Sequence, residues 1–277
     1  MHDIKYQFSA TLLDAFEGWL HPDRIWEKYW GQSDNPSKSY EDFCKEQEQG
    51  LIDRINKVEF ISEPASKGTA FNDVVDWVLN NQDYDCKTKI TPIYAGGCAR
   101  PVAYEAWLDG FVFRFSYELV RMVTSYYRVH FDAPMCQVYV HAALPTSYGD
   151  VDLHGYIDEL KPNVCHDLKT TGSYSFGDFK HHWQHLVYPY CLRKDGSTID
   201  TFSYDIIPWK RNYGKMPADY IPCAADGFYH EIYNYRDEEA EEKLRRHCEG
   251  LIEFIEAHKE QIYNEKIFNY RFKLEKK

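Results

Sequence analysis

Two acids and a lysine stand close together near the middle of the chain. Asp158 follows Gly155 by three positions, and Asp167 precedes Lys169 by two. Both segments read as strands, so Asp167 and Lys169 share a face, about 6–7 Å apart along the chain. Asp158 lies on the preceding strand across a tight turn at residues 161–163, and neighbouring strands are about 4.8 Å apart. The two carboxylates can therefore converge on one cation.

This arrangement suits the hydrolysis of a phosphodiester. Carboxylate oxygens suit Mg²⁺ or Mn²⁺, which keep several waters that a substrate phosphate displaces. Such a metal polarises the phosphoryl group and lowers the pKa of a bound water. Lys169 can orient that water or neutralise charge that develops on the phosphorus oxygens. Gln184 and Tyr188 are four apart on a predicted helix and share a face. They can hydrogen-bond the strand that carries the site or contact the DNA backbone.

The ordered set of Gly-x-x-Asp, Asp-x-Lys and Gln-x-x-x-Tyr resembles the PD-(D/E)XK nuclease superfamily, and within it the RecB-like and phage-type exonucleases. The resemblance implies that Asp158 and Asp167 bind the metal and that Lys169 assists hydrolysis. It places Gln184 and Tyr188 at the helix positions of the family's site.

The family's upstream helix often carries Gly-x-x-x-His, or an acid, that completes the metal shell. Here Gly68 is followed by Asn72 and Asp73, so asparagine stands where many relatives have histidine. Asparagine can offer its carbonyl oxygen to Mg²⁺, which makes Asn72 the candidate third ligand. For Asn72 and Asp73, a solvated helix face is the alternative.

The resemblance implies a metal-dependent DNA exonuclease that acts in phage or bacterial recombination or repair. DNA is the expected partner, together with a single-strand annealing or recombination protein, and an oligomer is compatible with ring-forming relatives. Two alternatives stay open. One is an inactive member that binds DNA or a replication partner without cutting, which Asn72 keeps open. The other is a metal-dependent hydrolase of a different phosphoester, which would retain the same acids.

Composition and charge narrow the class of protein. The net charge of −12 argues against a surface that binds phosphate everywhere, but it permits a local basic groove. The eight cysteines are dispersed and form no CxxC pair, and their spacing differs from that of the family's iron–sulfur members, so no such cluster is expected. We find no signal-peptide pattern and no apolar run near 20 residues, which favours a cytoplasmic protein away from membranes.

A zinc site is the alternative that the histidines raise. His181 and His185 have the spacing of HExxH, but position 182 is histidine rather than the glutamate that acts as base. A helix face near DNA that can acquire positive charge is the preferred interpretation.

These motifs need a scaffold, for which we expect an α/β fold of the α+β type. Its restriction-endonuclease-like core would have a central mixed sheet flanked by helices. A single domain over residues 1–277 would comprise a helical region at 1–131, the catalytic sheet at 132–210 and a final helix at 237–261. Helical spacing places helices after Ser9 and at residues 40–57, 67–79, 102–131 and 179–193. Strands are predicted at residues 135–144, 152–160, 164–170 and 198–208, the first three as an antiparallel meander.

Overall fold

The computed structural model describes residues 4–31, 33, 35–129, 134–211 and 217–268. The strands are β1 (Ile4–Ser9), β2 (Lys89–Ile93), β3 (Ala103–Leu108), β4 (Phe111–Ser116), β5 (Met135–Thr146), β6 (Gly149–Lys161), β7 (Val164–Thr171), β8 (Thr201–Pro208), β9 (Ile221–Cys223) and β10 (Tyr229–Asn234). The helices are α1 (Ala10–Leu20), α2 (Pro22–Tyr29), α3 (Tyr40–Ile55), α4 (Glu63–Leu79), α5 (Tyr117–Arg128), α6 (Gln184–Lys194), α7 (Asp237–Ala257) and α8 (Glu265–Phe268). Short 3₁₀ turns cover Asp178–His181 and Lys259–Gln261.

The central sheet is mixed and has six strands. Its path runs β1-β6-β7-β8-β10, and β5 pairs with β6 outside that path. The pairs β1–β6 and β7–β8 are parallel, whereas β5–β6, β6–β7 and β8–β10 are antiparallel. The predicted meander of β5, β6 and β7 is therefore confirmed. Helices α1, α6 and α7 share one hydrophobic core with this sheet.

A second sheet joins β2, β3, β4 and β9, and the sequence did not predict it. Together with α4 and α5 it forms a separate hydrophobic core. Strand β7 borders both cores, because Cys165 belongs to the first and Leu168 to the second. The predicted α/β class, with mixed sheets flanked by helices, is confirmed.

The predicted helix over residues 102–131 is wrong. Strands β3 and β4 form a hairpin there, α5 begins only at Tyr117, and residues 130–133 lie outside the described part of the chain. Asp109 and Gly110 form the two-residue loop with φ of 51° and 83°, as a type I′ turn requires. An Asp-Gly pair between alternating apolar residues is a strong hairpin signal, and aromatic residues throughout the segment obscured it.

Several predicted boundaries also need correction. The region 1–131 is not simply helical, because β1, β2, β3 and β4 lie in it, and the central sheet of 132–210 also takes in β1 and β10. The predicted helix at 179–193 divides into a 3₁₀ turn and α6, and α7 ends at Ala257 before a further 3₁₀ turn. The helix predicted after Ser9 is confirmed as α1, and Ser9 caps it, since the Leu12 amide donates to Ser9 Oγ at 3.3 Å.

The single-domain assignment stays a prediction. Among the residues described, no helix combines the length and the apolar character that crossing a bilayer requires.

Candidate active site

One edge of β6 carries a gap in its strand pairing. Strand β1 pairs with this edge only as far as His154, and β7 pairs with it only from Glu159 onward. Residues 155–158 therefore have no strand beside them on that edge of the described ladder. The Asp158 carboxylate occupies one end of the gap, where Oδ2 accepts the Leu168 amide of β7 at 2.8 Å. A side chain thus replaces a backbone partner and fixes the acid at the fork between two strands.

A glutamine holds the other oxygen of Asp158 and links it to a second acid. Gln137 Nε2 donates to Asp158 Oδ1 at 3.1 Å and to Asp76 Oδ2 at 3.0 Å. Gln137 adopts a left-handed backbone with φ of 51°, which is uncommon for a residue other than glycine. Sequence reasoning missed both Gln137 and Asp76. The one available signal was that Asp76 follows Asn72 by four positions on α4 and so shares its face.

Asp167 and Lys169 lie on one face of β7, as predicted. Lys169 Nζ is 2.6 Å from Asp167 Oδ2, and Gln184 Nε2 donates to Asp167 Oδ1 at 2.7 Å. The Asp167 side chain is only 2% exposed, whereas that of Lys169 is 24% exposed. The acid is therefore held from two sides, and the lysine side chain is still partly exposed.

Two glycines allow the helices to approach the site closely. A Cβ on Gly155 would stand 2.4 Å from Cε1 of Tyr188, so the tyrosine ring occupies the space that a side chain would take. Tyr188 also lies beside Gln184, whose Nε2 is 3.4 Å from the tyrosine hydroxyl. A Cβ on Gly68 would stand 2.9 Å from Thr170 Oγ1, which brings α4 against β7. Steric crowding therefore explains why each of the two motifs has glycine at this position.

Asn72 reaches the same site from α4. Its Nδ2 donates to the Leu168 carbonyl at 3.2 Å and lies 3.5 Å from Asp158 Oδ2. This orientation leaves Asn72 Oδ1 buried with no hydrogen-bond partner in the described structure. A buried acceptor without a protein partner is unusual, and either a water or a metal ion can satisfy it. The solvated-face alternative for Asn72 therefore does not apply, whereas Asp73 is engaged by Thr88 Oγ1.

The donor set fits a hard divalent cation. Asp158, Asp167 and the free oxygen of Asn72 are the oxygen ligands that Mg²⁺ and Mn²⁺ accept. In the described part of the chain, no cluster of three or more histidine, cysteine, aspartate or glutamate side chains could hold a metal. Asn72 offers an oxygen from another residue type. Neither His181 nor His185 belongs to such a cluster among those residues.

Burial sets the electrostatics of the carboxylates. It raises the pKa of Asp158 well above its usual range, and the charge of Asp167 adds to the rise. Burial also raises the pKa of Asp167, although the ion pair with Lys169 opposes it. For Lys169 burial lowers the pKa, but the charges of Asp167 and Asp158 outweigh it and the net pKa is raised. A cation that binds here would therefore displace protons from the acids.

Burial raises the pKa of Asp76 to about 7, and the charge of Asp73 adds to the rise against the hydrogen bond from Gln137. Asp76 and Asp158 are thus two buried acids that share one amide donor. Two negative charges this close repel each other. At neutral pH the pair therefore favours a state in which one of the two acids keeps its proton.

The predicted chargeable histidine face is partly wrong. His185 is buried against Tyr204 and Tyr233, and burial lowers its pKa to about 3. His182 instead pairs with Asp14 of α1, whose carboxylate also accepts the Trp183 amide at 2.6 Å. Asp14 thereby satisfies an amide at the start of α6, a role that sequence spacing gave no sign of.

Comparison with known proteins leaves the family open. No protein-family model matches the chain, and no curated protein matches its sequence significantly. Among solved structures, one match is a chain described as "Crystal structure of SSO0001", at 14% identity and a TM-score of 0.33. That alignment covers 49% of this chain and 57% of the other. A likeness this weak carries no argument about fold or function.

Proposed function

We propose that this protein is a metal-dependent deoxyribonuclease that hydrolyses phosphodiester bonds. One observation carries the proposal: the residues of three separate sequence motifs, together with a residue of an upstream helix, meet in one contiguous cluster. The cluster comprises Asn72 of α4, Gly155 and Asp158 of β6, Asp167 and Lys169 of β7, and Gln184 and Tyr188 of α6.

Asp158, Asp167 and Asn72 Oδ1 would hold Mg²⁺ or Mn²⁺. Bound there, the ion supplies a Lewis acid for the phosphoryl oxygen and lowers the pKa of a coordinated water. Gln137 keeps one oxygen of Asp158 oriented, and the Leu168 amide orients the other. The acid therefore enters the reaction already positioned.

Lys169 acts as a charged donor rather than as a base. Its net pKa is raised, so the ammonium stays protonated at neutral pH. Its partial exposure lets it reach a phosphate oxygen or an attacking water while Asp167 holds it. A fixed positive charge at that point stabilises the negative charge that develops on phosphorus oxygens.

Gln184 and Tyr188 are positioning residues in this proposal. They are 3% and 4% exposed, so contact with a DNA backbone is disfavoured. Of the two roles that the sequence left open, the hydrogen bond from Gln184 to Asp167 supports the first, in which the helix orients the strand.

The finer assignment comes from the motif resemblance alone. It is an exonuclease of phage or bacterial recombination or repair, which works with DNA and with an annealing or recombination protein. The second candidate is an inactive member that binds DNA. It is favoured by Asn72, whose amide donates into the site where relatives have histidine.

A cleavage assay tests the proposal. Linear, circular, single- and double-stranded DNA are incubated with Mg²⁺ or Mn²⁺ and wild-type protein, Lys169→Ala or Asp167→Ala. We expect both variants to lose about 100-fold or more in rate, because each removes a charge at the reacting group. Lys45→Ala, an exposed lysine on α3, is the matched control and should cleave normally.

Each other outcome has a defined meaning. Equal cleavage by wild type and both variants would contradict the assigned roles. DNA binding without cleavage under any condition would favour the inactive alternative. Hydrolysis of bis(4-nitrophenyl) phosphate with all DNA left intact would favour a hydrolase of another phosphoester.

A further inference from the structure

A cluster of four rings continues along the sheet from the candidate active site. Tyr156 precedes Asp158 by two residues, and its ring lies 5.1 Å from that of Tyr139 on β5. Tyr139 lies in turn 5.6 Å from His141 and 6.4 Å from His154. Two directly opposed pairs, Tyr139 with Tyr156 and His141 with His154, thus form a ring cluster across β5 and β6.

The two tyrosines of the ring cluster are open to solvent. Tyr139 is 45% exposed and Tyr156 is 56% exposed. The apolar residues that alternate with the rings along each strand, by contrast, pack into the core. Cross-strand aromatic pairs help to stabilise a sheet, which accounts for their contact with each other. It does not account for their solvent exposure beside a proposed catalytic acid.

A cationic pocket begins where the ring cluster ends, at His154. The cavity has a volume of about 200 Å³, and besides apolar and amide residues its lining includes His154, Ser9, Thr11 and three cationic residues. These cations are Arg54, Lys57 and Lys266.

Among the residues that the structure describes, no acid lines this pocket, in a chain whose net charge is −12. Within the described part of the chain, none of the three cations has a salt-bridge partner. Like charges gathered in one cavity repel each other, so an anion that binds there would be stabilised by all three.

One acid stands near the boundary between the ring cluster and the pocket. Asp152 is 1% exposed, and its carboxylate is engaged by Gln7 at 3.4 Å and His141 at 3.2 Å. Its carboxylate is therefore covered by neighbouring side chains and is not among the groups that line the pocket.

We propose that the ring cluster and the cationic pocket together bind a single strand of DNA whose backbone continues to the scissile phosphate at Asp158. The inference rests on the proposed nuclease function and adds its substrate class. From Asp158 to His154 the strand spans four residues, about 13 Å, which suits a short run of nucleotides. Unpaired bases stack on exposed rings and their phosphates meet the cations, whereas duplex bases are already stacked on each other.

Binding can be measured separately from cleavage. Fluorescein-labelled oligo(dT), a mixed-sequence single strand and a duplex hairpin are titrated with protein carrying Asp167→Ala in EDTA, and anisotropy is recorded. We expect the single strands to bind more tightly than the hairpin. Tyr139→Leu and Tyr156→Leu should each weaken single-strand binding about 10-fold, since each removes one stacking ring.

A substitution of Lys57 tests the pocket without destabilising the fold. It lies just beyond α3 with φ of 57°, a conformation that favours glycine. Lys57→Gly should therefore keep or raise the melting temperature while it weakens single-strand binding and lowers the salt slope by about 1. Tyr29→Leu and Lys45→Ala, an exposed tyrosine and an exposed lysine outside both surfaces, should leave binding unchanged.

The outcomes separate this inference from the proposed function. Unchanged affinity in the tyrosine and Lys57 variants, tighter binding of the hairpin, or no binding of single strands would each overturn the binding surface, even where wild type cleaves DNA. Weakened binding in those variants without cleavage by wild type would instead retain the surface and overturn the nuclease. If a tyrosine variant does not fold, Lys57→Gly decides the matter.

Discussion

Replacing Gly155 by alanine should push the Tyr188 ring out of its place in the candidate site. The added Cβ would stand 2.4 Å from Tyr188 Cε1, whereas unstrained carbon contacts are about 3.5–4.0 Å. One of the two must move by about 1 Å. Because Tyr188 is 4% exposed, the ring has little free space, and overpacking of this kind costs about 1–3 kcal/mol.

The backbone of Gly155 works in the opposite direction. Gly155 is not among the glycines with positive φ, so alanine can adopt its conformation. Such a substitution stabilises by about 0.4–1 kcal/mol through the unfolded chain. The net loss in free energy of unfolding should be about 0–2.6 kcal/mol. In a Tyr188→Leu background the clash is removed, so the same alanine should cost about nothing or stabilise slightly.

A double-mutant cycle by urea unfolding checks this reasoning. We expect Gly155→Ala and Tyr188→Leu to be coupled by about 1 kcal/mol or more, which exceeds the additivity limit for independent sites. Gly50→Ala on α3 is the control, since no atom lies within 4 Å of its added Cβ, and it should stabilise by about 0.5–1 kcal/mol. Additive effects within about 0.5 kcal/mol would refute the claim that the Gly155 position exists to admit the Tyr188 ring.

Two further predictions concern the acids and the amide of the site. The folded-state pKa of Asp76, about 7, exceeds its ordinary 3.8, so the folded protein binds the extra proton and stability from this group is lost as pH rises between those values. In Asp76→Asn, the free energy of unfolding should therefore fall less steeply between these pH values, by up to about 1.4 kcal/mol per pH unit. An unchanged slope would contradict the raised pKa of Asp76. Asn72→Asp would set a second charge beside Asp158 and the Leu168 carbonyl, so it should lower the melting temperature without metal. The same variant should bind Mn²⁺ more tightly by calorimetry, and weaker binding would remove residue 72 from the ligand set.

Local spacing was sufficient to predict part of the site. Alternation along a strand predicts that Asp167 and Lys169 share a face, and they form an ion pair. Four-residue spacing on a helix predicts that Gln184 and Tyr188 are neighbours, and their side chains lie 3.4 Å apart. Both inferences need only the period of one element, which a sequence carries directly.

The rest of the site depends on contacts that no period encodes. Gln137 of β5 and Asp76 of α4 are 61 positions apart and meet only in the tertiary structure. The sequence gives no sign that Gln137 adopts a left-handed backbone, because asparagine or glycine is the usual residue in that conformation. The failed helix prediction at 102–131 has a different cause, because an Asp-Gly hairpin signal was present and the apolar content of its flanks outweighed it.

The gap along β6 gives the Gly-x-x-Asp spacing a physical meaning. Pairing with β1 ends at His154 and pairing with β7 begins at Glu159, so the motif occupies residues 155–158, which have no strand partner on that edge of the described ladder. At the first position, the absence of a side chain admits the Tyr188 ring, and at the last position the Asp158 carboxylate takes the β7 amide. The Tyr188 ring of α6 thus packs on the face of the strand at the first position, and the Asp158 carboxylate fills the edge of the strand at the last position. Because successive side chains of a strand point to opposite faces, moving either residue by one position would turn it away from the ring or from the β7 amide, which explains why the two residue types occur at this separation.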